Sequence, residues 1–87
     1  MAKLACDIVT PQAKFYSGEA AMVVVPGTEG DMGFLVGHVP LVSALRDGNV
    51  RVQEEDGAPA KEFAVEGGFV QVDGQKVIIL ADKAQAL

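Results

Sequence analysis

The chain has 87 residues, enough for one domain but not for two, and its 49% hydrophobic content is typical of a globular protein. Seven basic and twelve acidic residues give a formal net charge of −5, which disfavours nucleic-acid phosphates and anionic lipid headgroups as partners. One tyrosine, four phenylalanines and no tryptophan leave little material for base stacking. We therefore expect no nucleic-acid partner.

Direct membrane insertion is not expected either, because no apolar run approaches the ~20 residues that span a bilayer. Charged residues at Lys3 and Asp7 come too early for a secretory signal peptide. The single cysteine, Cys6, cannot form an intramolecular disulfide, which indicates a reducing compartment.

In chain order, the first half predicts four short strands separated by turn residues. They comprise residues 3–9, 13–17, 19–25 and 32–36. We expect Gly18 to break the run between the second and third strands, and Pro26, which lacks an N–H, to end the third. Residues 41–45 follow the Pro40 corner as a short apolar segment, either a strand or one helical turn.

The second half predicts four more strands, which cover residues 50–53, 61–65, 69–72 and 76–80. Gly67-Gly68 predicts a bulge or kink, and Asp73-Gly74 is a strong hairpin signal. The continuous apolar run of the last strand suggests that both of its faces are covered.

Residues 81–87 are the only segment with helix character, and Asp82 is the candidate N-cap. The rest of the chain reads as roughly eight to ten short strands at close spacing with turn signals between them. This pattern predicts an all-β fold, either a β-sandwich or a small barrel.

No catalytic, cofactor-binding or metal-binding constellation can be assembled from the sequence. His38 is the sole histidine and lacks an orienting carboxylate or companion ligands, which favours a structural or interface residue. Cys6 is interpreted as a small core hydrophobe. Residues 27–30 resemble a phosphate cradle only in their glycines, because no Gly-Lys-Ser/Thr follows. Glu29 and Asp31 lack the ligand spacing of a calcium loop.

The order of the central residues is nonetheless distinctive. Residues 26–41 read Pro-Gly-Thr-Glu-Gly-Asp-Met-Gly-Phe-Leu-Val-Gly-His-Val-Pro-Leu, which resembles the hallmark of the epsilon subunits of F-type, proton-translocating ATP synthases. Three further segments resemble that family in the right order: residues 7–11 with 16–18, residues 65–72 and residues 77–82. The resemblance covers nearly the whole chain, and four ordered motifs are far more specific than one.

The resemblance implies a small β-sandwich of two roughly five-stranded sheets, a flattened barrel. This epsilon-type N-terminal domain is expected over residues 1–82, with residues 83–87 as the start of a linker or C-terminal tail. Most members continue into a helical hairpin that carries inhibitory and nucleotide-sensing behaviour. That hairpin is absent here, so we expect a short natural form or the β domain alone. ATP binding and helix-driven inhibition are therefore not carried over from the family.

The resemblance also implies a function without chemistry or cofactors of its own. Such a chain is a non-catalytic central-stalk, or rotor, subunit that links the gamma subunit to the membrane rotor ring of c subunits. It helps to couple proton transport to ATP synthesis or hydrolysis. It lies peripherally on the cytoplasmic face of the bacterial inner membrane, or on the equivalent side in an organelle.

Two sets of residues are assigned to these partners through the resemblance. Asp31 matches the family's acid that meets basic side chains in the polar loops of the ring. The residues expected at the ring-facing end are Glu29, Asp31 and His38. The residues expected to face the gamma subunit are Thr10, Leu41 and Val42.

Two alternatives remain open: a regulatory epsilon-like paralogue that binds the gamma subunit only, and a stand-alone β-barrel that binds a small ligand. The acids and His38 in the central turns favour ring contact and so speak against the paralogue. A ligand-binding barrel needs a cavity, whereas the apolar side chains here are enough to fill a domain of this size.

Overall fold

Alternation of apolar and polar residues produces strands along almost the whole chain. The computed structural model describes residues 3–37 and 40–87, so His38 lies outside the described residues. Within these ranges the strands, in chain order, are β1 Leu4–Val9, β2 Lys14–Ala20, β3 Met22–Gly27, β4 Gly30–Phe34, β5 Leu41–Ala44, β6 Gly48–Gln53, β7 Lys61–Glu66, β8 Phe69–Val72, β9 Lys76–Leu80 and β10 Lys83–Ala86. None of the described segments forms a helix that is long and apolar enough to cross a bilayer.

The strands pair into two five-stranded sheets. The first sheet has the order β2-β1-β9-β8-β5 and the second the order β10-β7-β6-β3-β4. Neighbouring strands run antiparallel, except that β1 and β9 pair in parallel inside the first sheet. The predicted sandwich of two five-stranded sheets is confirmed.

One apolar core lies between the sheets, and the strands supply it with every second residue. In β1 the side chains of Leu4, Cys6 and Ile8 are fully buried, as are those of Val50 and Val52 in β6. Burying such a side chain contributes about 1.5–3 kcal/mol. A slip of one residue would turn the whole set towards solvent, so the core determines the register.

Gly18 does not break the second strand, contrary to the prediction. It lies inside β2 and pairs with Cys6. A Cβ at Gly18 would lie only 2.7 Å from the hydroxyl oxygen of Tyr16, so the glycine makes room for that ring within the strand. The chain bends at Ala21 instead.

Pro26 does not end the third strand either. It pairs with Asp31 of β4, and its carbonyl accepts a hydrogen bond from the Arg46 N–H at 2.9 Å. The nitrogen of Pro26 therefore points away from β4, on a side where the pairing with β6 has already stopped at Val24. The missing N–H costs no ladder bond there, so the strand continues to Gly27.

The predicted helical segment is a strand. Residues 83–86 form β10, which pairs with β7 in antiparallel register, and Ala84 packs against the core opposite Val65. A seven-residue helix is marginal alone, whereas the edge of β7 offers unpaired backbone groups. The domain boundary expected after residue 82 stays a prediction.

Strand β9 is covered on one face only, contrary to the prediction from its apolar run. Val77 and Ile79 are fully buried, but Leu80 on the opposite face is 45% exposed. The apolar run therefore continues onto an outer surface of the first sheet.

The kink predicted at Gly67-Gly68 is confirmed, and it carries the chain from β7 of the second sheet to β8 of the first. Gly67 has φ +62° and Gly68 has φ +109°, in the region that favours glycine. A Cβ on Gly68 would lie 1.8 Å from the carbonyl oxygen of Leu80, so the end of β9 packs directly against this corner.

We expect Gly68→Ala to lower the free energy of unfolding by about 3 kcal/mol or more, because backbone strain adds to a clash with backbone atoms. The matched control is Gly57→Ala, at φ +78° with no atom near the added Cβ, which should cost about 1–2 kcal/mol of strain alone. Urea unfolding of both variants measures the difference. Equal losses would show that the Leu80 carbonyl does not constrain the corner.

Candidate protein-docking surfaces

Exposed apolar side chains gather on the outer face of the first sheet. Strand pairing places Leu80 between Val9 and Phe69, while Ile78 lies one row away. Phe69 is 54% and Val42 67% exposed. We call this surface the apolar stripe; its members are Val9, Val42, Phe69, Ile78 and Leu80.

The outer face of the second sheet has a different character. Its central strand positions are polar and charged, with Arg51 of β6 paired opposite Glu62 of β7. Lys83 of β10 lies opposite Glu66 on the neighbouring strand. Water solvates such a face well, whereas the apolar stripe leaves large hydrophobic side chains in water.

A shallow groove lies at one end of the apolar stripe, and Thr10 lies in it. The groove is lined by Val9, Thr10, Pro11, Gly68, Phe69, Leu80, Ala81 and Asp82. The Thr10 hydroxyl donates a hydrogen bond to the Ala13 carbonyl oxygen at 3.2 Å, and the backbone N–H of Thr10 donates to the same oxygen at 2.9 Å. These bonds hold the turn between β1 and β2 against the groove.

The two other residues assigned to the gamma subunit point to opposite sides of β5. Leu41 is half-buried and packs against the core. Val42 is exposed on the apolar stripe and pairs with Gln71. The structure therefore brings Val42 and Thr10 to one face of the first sheet and separates Leu41 from them.

A buried carboxylate lies beside the apolar stripe. Asp7 is 8% exposed, and its Oδ1 accepts a hydrogen bond from the Ser17 hydroxyl at 2.8 Å. Its Oδ2 lies 3.4 Å from Nζ of Lys76 and 3.8 Å from Nζ of Lys14. The Ser17 hydrogen bond, followed by the two ammonium groups, lowers the pKa of Asp7. We call these four residues the Asp7 cluster.

Of the acids assigned to the rotor ring, Glu29 lies in the turn between β3 and β4, and Asp31 lies at the start of β4. Glu29 and Asp31 are both exposed. Oδ1 of Asp31 lies 2.8 Å from Nη2 of Arg46, an exposed ion pair. The N–H of Thr28 donates to the Ala44 carbonyl at 3.3 Å, so this turn lies at the same end of the sandwich as the groove.

The glycine-containing turn at residues 36–37, which precedes His38 in the motif, starts at the other end of the sandwich. The N–H of Gly37 donates to the Gly74 carbonyl at 2.6 Å, next to the hairpin of β8 and β9. Of the three residues expected at one end, Glu29 and Asp31 therefore lie together. Gly37, the last described residue before His38, lies away from them, and His38 itself is outside the described residues.

Sequence reasoning missed Phe69, Leu80 and the Asp7 cluster. A signal for the first two was present, because the Asp73-Gly74 hairpin pairs their strands and both side chains alternate with buried valines or isoleucines. Asp7 and its lysines come from three different strands, so only the pairing of β1 with β2 and β9 brings them together.

The single cysteine of the chain, Cys6, is free and buried. Burial raises the pKa of the Cys6 thiol to about 12, so the thiol stays protonated and unreactive. Within residues 3–37 and 40–87, no three metal-ligating side chains group together.

The two five-stranded sheets define the class of fold, a small two-layer β-sandwich. The profile of the "ATP synthase, Delta/Epsilon chain, beta-sandwich domain" matches residues 3–86. The chain therefore belongs to this family of ATP synthase delta and epsilon chain β-sandwich domains.

Curated relatives agree with this assignment. The ATP synthase epsilon chain of Parvibaculum lavamentivorans is 45% identical over 80 residues, which are 92% of this chain and 60% of the relative. That of Desulforudis audaxviator is 49% identical over 91% of this chain and 56% of the relative. The chain thus spans little more than half of these relatives, although it covers 95% of the 45% identical epsilon chain of Caulobacter vibrioides.

Two solved assemblies contain chains of similar fold. A chain of the Euglena gracilis mitochondrial ATP synthase, in an OSCP/F1/c-ring structure, superposes with a TM-score of 0.89 at 25% identity, covering 99% of this chain and 54% of that one. A chain of the Tetrahymena thermophila ATP synthase central stalk and c-ring superposes with a TM-score of 0.76 at 13% identity, covering 95% of this chain and 66% of that one. The second likeness concerns the fold alone.

We expect Asp7→Asn to lower the free energy of unfolding at pH 7 by about 1–2 kcal/mol, because a charge-assisted hydrogen bond is lost. The folded pKa of Asp7 is lowered, so its ionised form stabilises the fold above the unfolded pKa, near 4. The difference between wild type and variant should therefore shrink as the pH falls below about 4. Urea unfolding between pH 7 and pH 3 measures it.

The matched control for this experiment is Asp56→Asn, which changes an exposed carboxylate in the loop after β6. It should alter the free energy of unfolding by less than about 0.5 kcal/mol. A difference between wild type and Asp7→Asn that stays constant down to pH 3 would contradict the role of the charge.

Proposed function

We propose that this chain is a non-catalytic subunit of the central stalk of an F-type ATP synthase, where it joins the gamma subunit to the membrane rotor ring. In that position it helps to couple proton transport to ATP synthesis or hydrolysis. Family membership and the assemblies that contain similar chains support the proposal. The observation that carries it is the apolar stripe, a large hydrophobic surface on a small acidic domain.

The gamma subunit docks on the outer face of the first sheet. Val42, Phe69 and Leu80 supply exposed apolar area there, and Thr10 borders the groove at one end. Interfaces that stay assembled resemble a divided core, with aromatic and aliphatic groups at the centre and polar groups around them. The second sheet offers no comparable apolar surface, so it faces solvent or polar neighbours.

The end of the sandwich that carries Glu29 and Asp31 faces the rotor ring. Both carboxylates are exposed; Glu29 lies in the turn between β3 and β4, and Asp31 lies at the start of the edge strand β4. Exposed acids attract basic side chains of the ring loops and set register and association rate more than affinity. Because Arg46 already pairs with Asp31, a ring cation must compete with it or join the pair. The assignment of His38 to the ring rests on its sequence motif alone, because Gly37, the last described residue before it, lies at the other end of the sandwich.

Within such a complex the chain is peripheral to the membrane, on its cytoplasmic face in a bacterium. Contact with the membrane is through the ring of c subunits rather than through insertion. The rigid, close-packed core suits a part that transmits torque, because little of the applied force is lost in deformation.

Val42→Glu places a charge within the proposed gamma interface, on the edge strand β5. We expect the affinity for purified gamma subunit to fall about tenfold or more, because the new carboxylate must be desolvated there. The side chain is 67% exposed, so the free energy of unfolding should change by less than about 0.5 kcal/mol. Isothermal calorimetry measures the affinity and urea unfolding the stability.

Gln85→Glu is the matched control, since it adds the same charge at an exposed position of β10 on the second sheet. It should leave gamma binding unchanged. If Gln85→Glu weakens binding while Val42→Glu does not, the gamma subunit docks on the second sheet and the proposed orientation is wrong.

Asp31→Lys reverses the charge that the proposal directs at the basic ring loops. ATP-driven proton pumping by the reconstituted complex should be lost while the variant domain stays folded, because exposed ion pairs contribute at most about 1 kcal/mol. Asp56→Lys, in the loop after β6, is the control of equal charge change and should pump normally. Unchanged pumping by Asp31→Lys would rule out ring contact through this residue and favour a subunit that binds gamma only.

A further inference from the structure

The Asp7 cluster lies within the face that the gamma subunit is proposed to cover. Asp7 pairs with Ile78 of the apolar stripe, and Lys14 pairs with Val9, another member. Lys76 lies opposite Ala5 on the same face. A partner that covers the stripe therefore also covers the two lysines.

The cluster carries a surplus positive charge. Two ammonium groups share one carboxylate oxygen, so their three formal charges sum to plus one. Glu19, opposite Ala5, is a further acid on this face, and its charge acts on Lys3. The hydrogen bond that Lys3 donates to Glu55 and, after it, the charges of Glu55 and Glu19 raise the pKa of Lys3. The ion pairs of Lys14 and Lys76 are both with Asp7.

Covering this surplus charge has a physical consequence. Lys14 and Lys76 are still about half exposed in the free chain, where water solvates their ammonium groups. An apolar partner surface would remove that water without replacement, which is unfavourable for a charged group. A carboxylate from the partner would neutralise the surplus positive charge of the cluster. It would also accept hydrogen bonds from the unused N–H groups of both lysines.

We propose that Lys14 and Lys76 form a clamp that receives an aspartate or glutamate side chain of the gamma subunit, an inference that rests on the proposed function. Asp7 and Ser17 position the clamp, since Asp7 draws both ammonium groups towards one point beside the stripe. The apolar stripe then supplies area, and the clamp fixes the register in which the partner docks.

The test compares gamma binding by wild type and by the double variant Lys14→Gln/Lys76→Gln at low and high salt. We expect the double variant to bind about tenfold more weakly at low salt, with a smaller loss of affinity as salt is raised. Lys14→Arg/Lys76→Arg keeps both charges and should restore most of the affinity. Lys83→Gln, which removes an exposed cation from the second sheet, should bind like wild type.

The experiment distinguishes a variant that fails to fold from a folded variant that fails to bind gamma. Urea unfolding identifies any variant that loses structure, and the single variant Lys14→Gln, at the more exposed lysine, then gives the binding result. Equal affinity and equal salt dependence of folded variant and wild type would overturn the clamp alone. Failure of the wild type to bind gamma at all would overturn the proposed function and the clamp with it.

Discussion

The close approach of Gly68 to the Leu80 carbonyl is the contact on which the functional surfaces depend. It lets β7 leave the second sheet and β8 begin the first while the end of β9 stays packed against the corner. The Gly68 carbonyl accepts the Leu45 N–H at 2.9 Å, which ties β5 to the same point. Phe69 is thereby paired with Leu80, and the acidic turn is held at the same end of the molecule. One backbone contact thus aligns the apolar stripe with the proposed ring-facing end.

The two outer faces of the sandwich differ in the kind of partner that they can dock. The first sheet offers apolar area with the Asp7 cluster beside it, and the second sheet is polar and solvated. Burial of apolar area favours association but does not fix the orientation of the partner. Charged groups fix that orientation and disfavour wrong registers. The proposed rotor subunit needs both affinity and a fixed orientation, because slippage at an interface would reduce the torque that it transmits.

Much of the fold follows from local patterns. The alternation of apolar and polar residues in β6, the Asp73-Gly74 hairpin and the Gly67-Gly68 kink all act through nearest neighbours, and these predictions are confirmed. The wrong predictions concern segments whose conformation depends on pairing with a strand that is distant in the sequence. Pro26 fits because β6 has stopped pairing beside it, and residues 83–86 form a strand because the edge of β7 is free.

The candidate site was less accessible to prediction for the same reason. Val42 could be assigned to an interface from its motif, but only strand pairing shows that Leu41 points inward and that Phe69 and Leu80 extend the surface. The Asp7 cluster joins side chains from β1, β2 and β9, and β9 is far from the other two strands in the chain. The ring assignment of Glu29, Asp31 and His38 and the gamma assignment of Thr10, Leu41 and Val42 stay predictions.

The central claim is that the outer face of the first sheet docks the gamma subunit. Amide hydrogen exchange of this chain, free and bound to gamma, tests it most directly because each strand reports separately. We expect slower exchange in residues 9–11, 41–44 and 69–80 on binding, with little change in residues 48–53 and 61–66. Protection confined to residues 48–53 and 61–66 would place gamma on the second sheet and contradict the account.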